Sequence, residues 1–121
     1  MNNSAAHQKL VDDILFAFGS RPDVRVHTVK VGLAVPIGSN RPVYFGLKGE
    51  SDIQGIVCVL IKGQKVGIFL AIEVKTGSGK LSKDQGYYKA MVLNMGGIFI
   101  EARSVKESLQ YLNSVIQSLQ G

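Results

Sequence analysis

Residues 52–75 read DIQGIVCVLIKGQKVGIFLAIEVK, two dense apolar runs, 52–61 and 66–74, on either side of the polar link Lys62-Gly63-Gln64-Lys65. Val- and Ile-rich runs of this length, joined by a short glycine-containing link, predict a β-hairpin whose strands are buried on both faces and sit centrally in a sheet. With Gly63-Gln64 as a two-residue loop, Lys62 faces Lys65 and Asp52 lies opposite Lys75. Glu73 then shares a face with Lys75 and stands diagonal to Asp52, roughly 7–8 Å away between backbones. Two carboxylates and a lysine are thus expected on one sheet face. A slip of one residue would send Asp52 to the other face, so the register decides the matter.

Outward from the hairpin, the pattern predicts a helix over residues 5–18, with Leu10, Val11, Ile14 and Phe18 on one face and Gly19 as its stop. Arg25 to Val35 reads as one strand, followed by the turn-like stretch 36–42; residues 43–47 read as a short additional strand. After the hairpin, Gly77-Ser78-Gly79 breaks the strand, a helix runs from Ser82 to about residue 94, and Gly96-Gly97 ends it. Ile98 to Ala102 is a further strand. Ser104 to Leu119 is an amphipathic helix with Val105, Leu109, Leu112, Ile116 and Leu119 on one side. The expected architecture is α/β, a small mixed sheet flanked by helices in the order αβββαβα, with the strands on either side of the middle helix parallel.

The chain has 121 residues, which suits one domain spanning residues 1–121. Fourteen Lys and Arg against nine Asp and Glu give a net charge of +5, which favours polyanionic partners such as nucleic acid through a salt-sensitive attraction. Apolar residues make up 45%, enough that a homodimer covering surplus apolar surface is expected. Cys58 is the only cysteine, which leaves neither a disulfide framework nor a cysteine-based zinc site. With no apolar leader and no apolar run long enough to span a bilayer, the expectation is a soluble, intracellular (cytoplasmic) protein without membrane contact.

Three segments carry candidate chemistry: Gly49-Glu50-Ser51-Asp52, Glu73-Val74-Lys75 and Leu81-Ser82-Lys83-Asp84-Gln85. Paired carboxylates suit Mg²⁺ or Mn²⁺, whose oxygen-rich shells need only a few protein ligands. Beside them Lys75 could orient a water or offset developing charge during phosphodiester hydrolysis. The Gly-rich turn into a helix N-terminus suits phosphate. Ser82 and Gln85 also fit a capping box, so Gln85 could cap the helix, face the phosphate, or do both. Gly79-Lys80 is not a nucleotide phosphate loop, because Val74 stands where the first glycine is needed and Leu81 where Ser or Thr is needed.

From about Val26 to Ala102, the three ordered segments resemble the VRR-NUC (virus-type replication-repair nuclease) branch of the PD-(D/E)xK nuclease superfamily. That branch carries Gly-x-x-Asp-(Ile/Leu), Glu-Val-Lys and Leu-Ser-x-x-Gln in this order. The resemblance implies a restriction-endonuclease-like core, with Asp52, Glu73 and the Val74 carbonyl binding the metal. It further implies Lys75 as the catalytic lysine and Gln85 supporting the phosphate side. It implies a homodimeric, structure-selective endonuclease acting on branched DNA such as four-way junctions. The alternatives are a less selective flap or nicking nuclease, or a DNA-binding module of the same fold with impaired catalysis.

The chain departs from the family in two places. Ser51 stands where the superfamily name has proline, and helix one lacks the glutamate usually turned toward the metal. His7, Asp12 and Asp13 are the candidates to replace it. With the apolar face centred near 40°, His7 falls at about 60°, Asp12 at about 200° and Asp13 at about 300°. His7 therefore points inward, as a ligand, a proton-transfer group or a core histidine; His27, in mid-strand, reads as structural. Lys48, Lys80 and Lys83, with Ser82, are expected at DNA phosphates. Lys62 and Lys65, about 30 Å away at the hairpin tip, either touch a distant duplex arm or blunt the strands.

Overall fold

A computed structural model describes residues 4–30 and 32–121. Its elements are α1 (Ser4–Gly19), β1 (Val24–Thr28), β2 (Gly32–Ala34), β3 (Val43–Phe45), β4 (Ile53–Ile61), β5 (Gln64–Val74), α2 (Lys83–Asn94), β6 (Ile98–Ala102) and α3 (Val105–Gln120). The fold is α/β: a four-stranded mixed sheet with three helices. The sheet order is β1-β4-β5-β6, so the hairpin strands are central, and β5 and β6 on either side of α2 run parallel. No helix among the described residues is long and apolar enough to cross a membrane.

Alternation along the strands sorts the core into two layers. On one face Val57, Val59, Leu70, Ile72, Ile98 and Ile100 pack with Val11, Ile14 and Phe18 of α1 and Leu112 of α3. On the other, Ala71 and Phe99 pack with Tyr88 and Val92 of α2. Full burial of side chains such as Phe18 and Ile14 contributes about 1.5–3 kcal/mol each. Of the apolar stripe expected on α3, only Leu119 stays exposed at its far end.

Three expectations are corrected. The strand expected over 25–35 is two: β1 ends at Thr28, and Gly32–Ala34 pairs instead with β3 in a separate two-stranded ladder. The cause is the partner. Thr28 pairs with Ile53, the first residue of β4, and one last backbone bond, Val29 N–H to Asp52 O at 2.9 Å, closes the ladder.

The hairpin register also differs. Ile61 pairs with Gln64, so the loop is Lys62-Gly63 rather than Gly63-Gln64, and Lys62 does not face Lys65. Lys62 (φ 51°) and Gly63 (φ 81°) are both left-handed, as a type I′ turn requires, and that turn places its glycine second. Following the ladder one rung past Ile53–Ile72, Asp52 comes level with Glu73, not with Lys75. Because partners shift by two residues, the face is preserved.

Nor are both strands buried on both faces. β5 is so only from Leu70 to Val74, while Ile56, Leu60 and Phe69 toward the tip are about half exposed.

Candidate active site

The site forms where β4 begins and β5 ends, beside the start of α2. β5 delivers Glu73 and Val74 with Lys75 directly after it, the loop before β4 delivers Asp52, α1 delivers His7, and the first turn of α2 delivers Gln85. The Asp52 loop is fixed to α2 through Gly49, whose φ is +77° and on which a Cβ would lie 2.2 Å from the Asp84 carbonyl oxygen. Only glycine permits that approach. Glu50 accepts from the Leu47 N–H at 3.1 Å and from Gln54, whose amide also donates to the Tyr88 hydroxyl at 2.8 Å, tying the same loop to α2 a second time. The buried Ser51 hydroxyl donates to Ile53 O at 3.0 Å, so the residue in the proline position is a local brace.

The backbone of Val74 links Asp52 and the histidine. Its N–H donates to Asp52 Oδ2 at 2.8 Å, and its carbonyl accepts from His7 Nε2 at 3.0 Å. His7 Nε2 is also 3.5 Å from Asp52 Oδ2. Since a carbonyl can only accept, Nε2 carries the proton in this arrangement. Asp12 and Asp13 instead pair on the exposed side of α1 with Gln8 and Lys9, at 2.9 Å in each case. The exposed His27 ring lies 3.1 Å from a neighbouring backbone carbonyl, that of Thr28.

Glu73 is 4% exposed. Its Oε2 accepts from Gln85 Nε2 at 2.9 Å and lies 3.5 Å from Lys75 Nζ, whereas Oε1 is buried without a hydrogen-bond partner among the described residues. Burial and then the nearby Asp52 charge push the Glu73 carboxyl up to about 7, against the opposing pull of Lys75. A buried carboxylate oxygen left unpaired is costly, and a cation is one group that would satisfy it.

Lys75 Nζ donates to Gln85 Oε1 at 2.8 Å. That same oxygen accepts from the Ser82 N–H at 2.8 Å, while the Gln85 N–H donates to Ser82 Oγ at 3.1 Å, completing a capping box. Gln85 therefore caps α2 and bridges Lys75 to Glu73 at once, and Ser82 acts as the N-cap.

His7, Asp52, Glu73, Val74, Lys75 and Gln85 are thus brought together. Lys80 and Lys83 lie exposed around the start of α2, Lys83 with its ammonium 6.0 Å from the Tyr87 ring centre, and Lys48 is exposed on the Gly49 loop. Among the described residues no group of three or more His, Cys, Asp or Glu side chains is arranged to hold a metal ion. The available oxygen donors are two carboxylates and a carbonyl, a set compatible with a hard cation that keeps most of its waters. The hollow of about 410 Å³ beside Lys89 and Tyr111 and that of about 290 Å³ beside Phe69 and Met91 are lined by none of these groups.

Arg103 was not among the sequence candidates. Its guanidinium reaches back from the end of β6 to the Gly79 carbonyl at 2.5 Å and the Gly77 carbonyl at 3.3 Å, while pairing with Glu101 at 2.6 Å. It holds the Gly-rich turn between Lys75 and α2. A lone arginine after a strand carries no spacing signal, and only the parallel β5–β6 pairing brings it there.

No protein-family model, curated protein or solved structure matches the chain.

Proposed function

We propose that this protein is a Mg²⁺- or Mn²⁺-dependent DNA endonuclease with a restriction-endonuclease-like core, as its resemblance to VRR-NUC domains suggests. The supporting observation is Glu73 Oε1, buried with no hydrogen-bond partner among the described residues while Gln85 and Lys75 meet the other oxygen, on a carboxyl that the Asp52 charge helps to raise. Asp52, Glu73 and the Val74 carbonyl would hold the cation. Bound there, it would supply charge to a phosphate oxygen and acidify a coordinated water.

The chain's own residues prepare the rest. Gln85 holds the Lys75 ammonium forward by accepting from Nζ, which leaves the remaining ammonium hydrogens for a water or a phosphate oxygen. Gln85 also donates to Glu73 Oε2, fixing the carboxylate's rotation. His7 orients the Val74 carbonyl by donating to it, and its protonated Nε2 has no lone pair for a cation. That favours a positioning or proton-donating role over ligation. Lys48, Lys80 and Lys83 would take flanking phosphates on an extended polymer. A dimer of two such sites would suit paired cuts in a two-fold DNA junction.

The test is cleavage of matched linear, flapped and four-way DNA with Mg²⁺, Mn²⁺ or neither. Metal-dependent cutting, strongest on the four-way substrate and abolished in Lys75→Ala while binding persists, is the expected result. Binding without cutting in either metal would leave a DNA-binding module instead. A monomeric mass in light scattering at micromolar concentration would contradict the paired-site arrangement.

A further inference from the structure

Among the described residues the β2–β3 ladder is joined to no other sheet and makes few contacts with the other elements. Both of its roots lie at the candidate site. One is the Val29 N–H bond to the Asp52 carbonyl, and the other is Gly49 against the first turn of α2.

Residues 29–49 contain no Asp or Glu, yet carry Lys30, Arg41 and Lys48. The remainder of the chain has eleven basic and nine acidic residues, a surplus of two. Most of the net positive charge therefore sits on this segment. Its tip is apolar and open: Ile37 is 106% exposed, Val35 58% and Val43 51%. It is also shaped in advance. Pro36 and Pro42 bracket the tip, the Ser39 N–H donates to the Pro36 carbonyl at 3.1 Å, and the Arg41 N–H donates to Ser39 Oγ at 3.1 Å.

We propose that this hairpin is a DNA-gripping arm, in which the Ile37 tip seats against an opened base step and the basic residues take the phosphates on either side. A basic stem with an apolar wedge at its end is how proteins hold locally unstacked DNA. A second copy of the same arm is a poorer occupant, because two acid-free basic segments repel. The choice of a branched substrate rests on the nuclease proposal; the arm's contact with DNA does not.

Binding is measured in EDTA, where cleavage cannot interfere, on a four-way junction and on a linear duplex of the same sequence. Ile37→Ala should weaken junction binding about tenfold and duplex binding by less than about twofold, since its side chain is buried only against an opened step. Arg41→Gln should weaken both and lower the slope of log K against log salt by about 1. A 2-aminopurine at the branch should brighten with the wild type and not with Ile37→Ala. Equal binding and equal fluorescence for the two proteins would overturn the proposal. So would light scattering in which replacing residues 35–42 by an Asn-Gly turn converts a dimer to a monomer, because the arm's partner would then be a second copy. Arm-dependent binding with no cleavage in any metal would sustain the arm and remove the nuclease; cleavage with arm-independent binding would do the reverse.

Discussion

Lys75 and Gln85 meet through a 2.8 Å hydrogen bond from Nζ to Oε1, and that acceptor is also the capping group for the Ser82 N–H. One amide oxygen therefore serves both a helix start and a candidate catalytic lysine. Gln85→Ala should cost about 1 kcal/mol of stability through the lost cap and release Lys75 and Glu73 together. Thermal melts and cleavage rates on the same preparation check this; an unchanged rate would reduce Gln85 to a capping residue. Gln85→Glu is the sharper variant, since it keeps the acceptor but sets a carboxylate against Glu73, and it should lose activity with the cap retained.

Glu73 sets a pH dependence whose sign follows from its raised carboxyl, about 7 when folded against an ordinary value of 4.5. In metal-free protein the stability contributed by the protonated form is complete below about 4.5 and is lost as pH rises through about 7. Metal binding needs the ionised carboxylate, so stabilisation by Mn²⁺ should be small at pH 6 and larger at pH 8. Differential scanning at both pH values, with and without Mn²⁺, measures it. Glu73→Gln should abolish the metal-induced shift and leave the metal-free protein at least as stable as the wild type at pH 8.

His7→Ala removes one hydrogen bond to the Val74 carbonyl, a stability loss of about 1 kcal/mol. A rate loss much larger than that stability change is expected under single-turnover conditions. A normal rate would make His7 an ordinary end-of-helix histidine. His7→Glu, which restores the carboxylate usual in the family resembled, should tighten Mn²⁺ binding in calorimetry.

Gly49→Ala places a methyl group against the Asp84 carbonyl at a left-handed backbone position. The expected destabilisation is on the order of 1–3 kcal/mol, with the Asp52 loop displaced from α2. Chemical-denaturation midpoints, together with metal affinity, distinguish this from a purely local strain.

Lys62→Asn tests the hairpin register. Asparagine is favoured over lysine at the first left-handed position of a type I′ turn, so stability should rise by up to about 1 kcal/mol with cleavage unaffected. A loss of stability would contradict the Lys62-Gly63 turn.

The layering was legible from apolar spacing: Val11, Ile14 and Phe18 on α1, the parallel β6, and Ser82 ahead of α2 follow from period and capping chemistry. The grouping of Asp52, Glu73 and Lys75 was legible for a narrower reason. The anticipated loop was one residue out of place, but the resulting two-residue change of partner kept every side chain on its face. What could not be read was where β1 would stop, because that depends on its partner turning away at Asp52. The Arg103 bonds to the Gly77 and Gly79 carbonyls were hidden for the same reason, being contacts across strands far apart in sequence. That Gln85 both caps and bridges needed three dimensions, since both roles use one side chain and neither alters the local pattern.

The Val74 peptide groups have a consequence for how the site can be probed. Its N–H and C=O are shared out to Asp52 and His7, while its isopropyl group is buried in the hydrophobic core. Any substitution at position 74 other than proline therefore alters packing and leaves the two polar groups in place. Part of the site is written in the backbone. An ester introduced by semisynthesis between residues 74 and 75 would keep all side chains, weaken the Val74 carbonyl as an acceptor and delete the Lys75 N–H bond to the Ala102 carbonyl, and so probe backbone contributions that no codon change reaches.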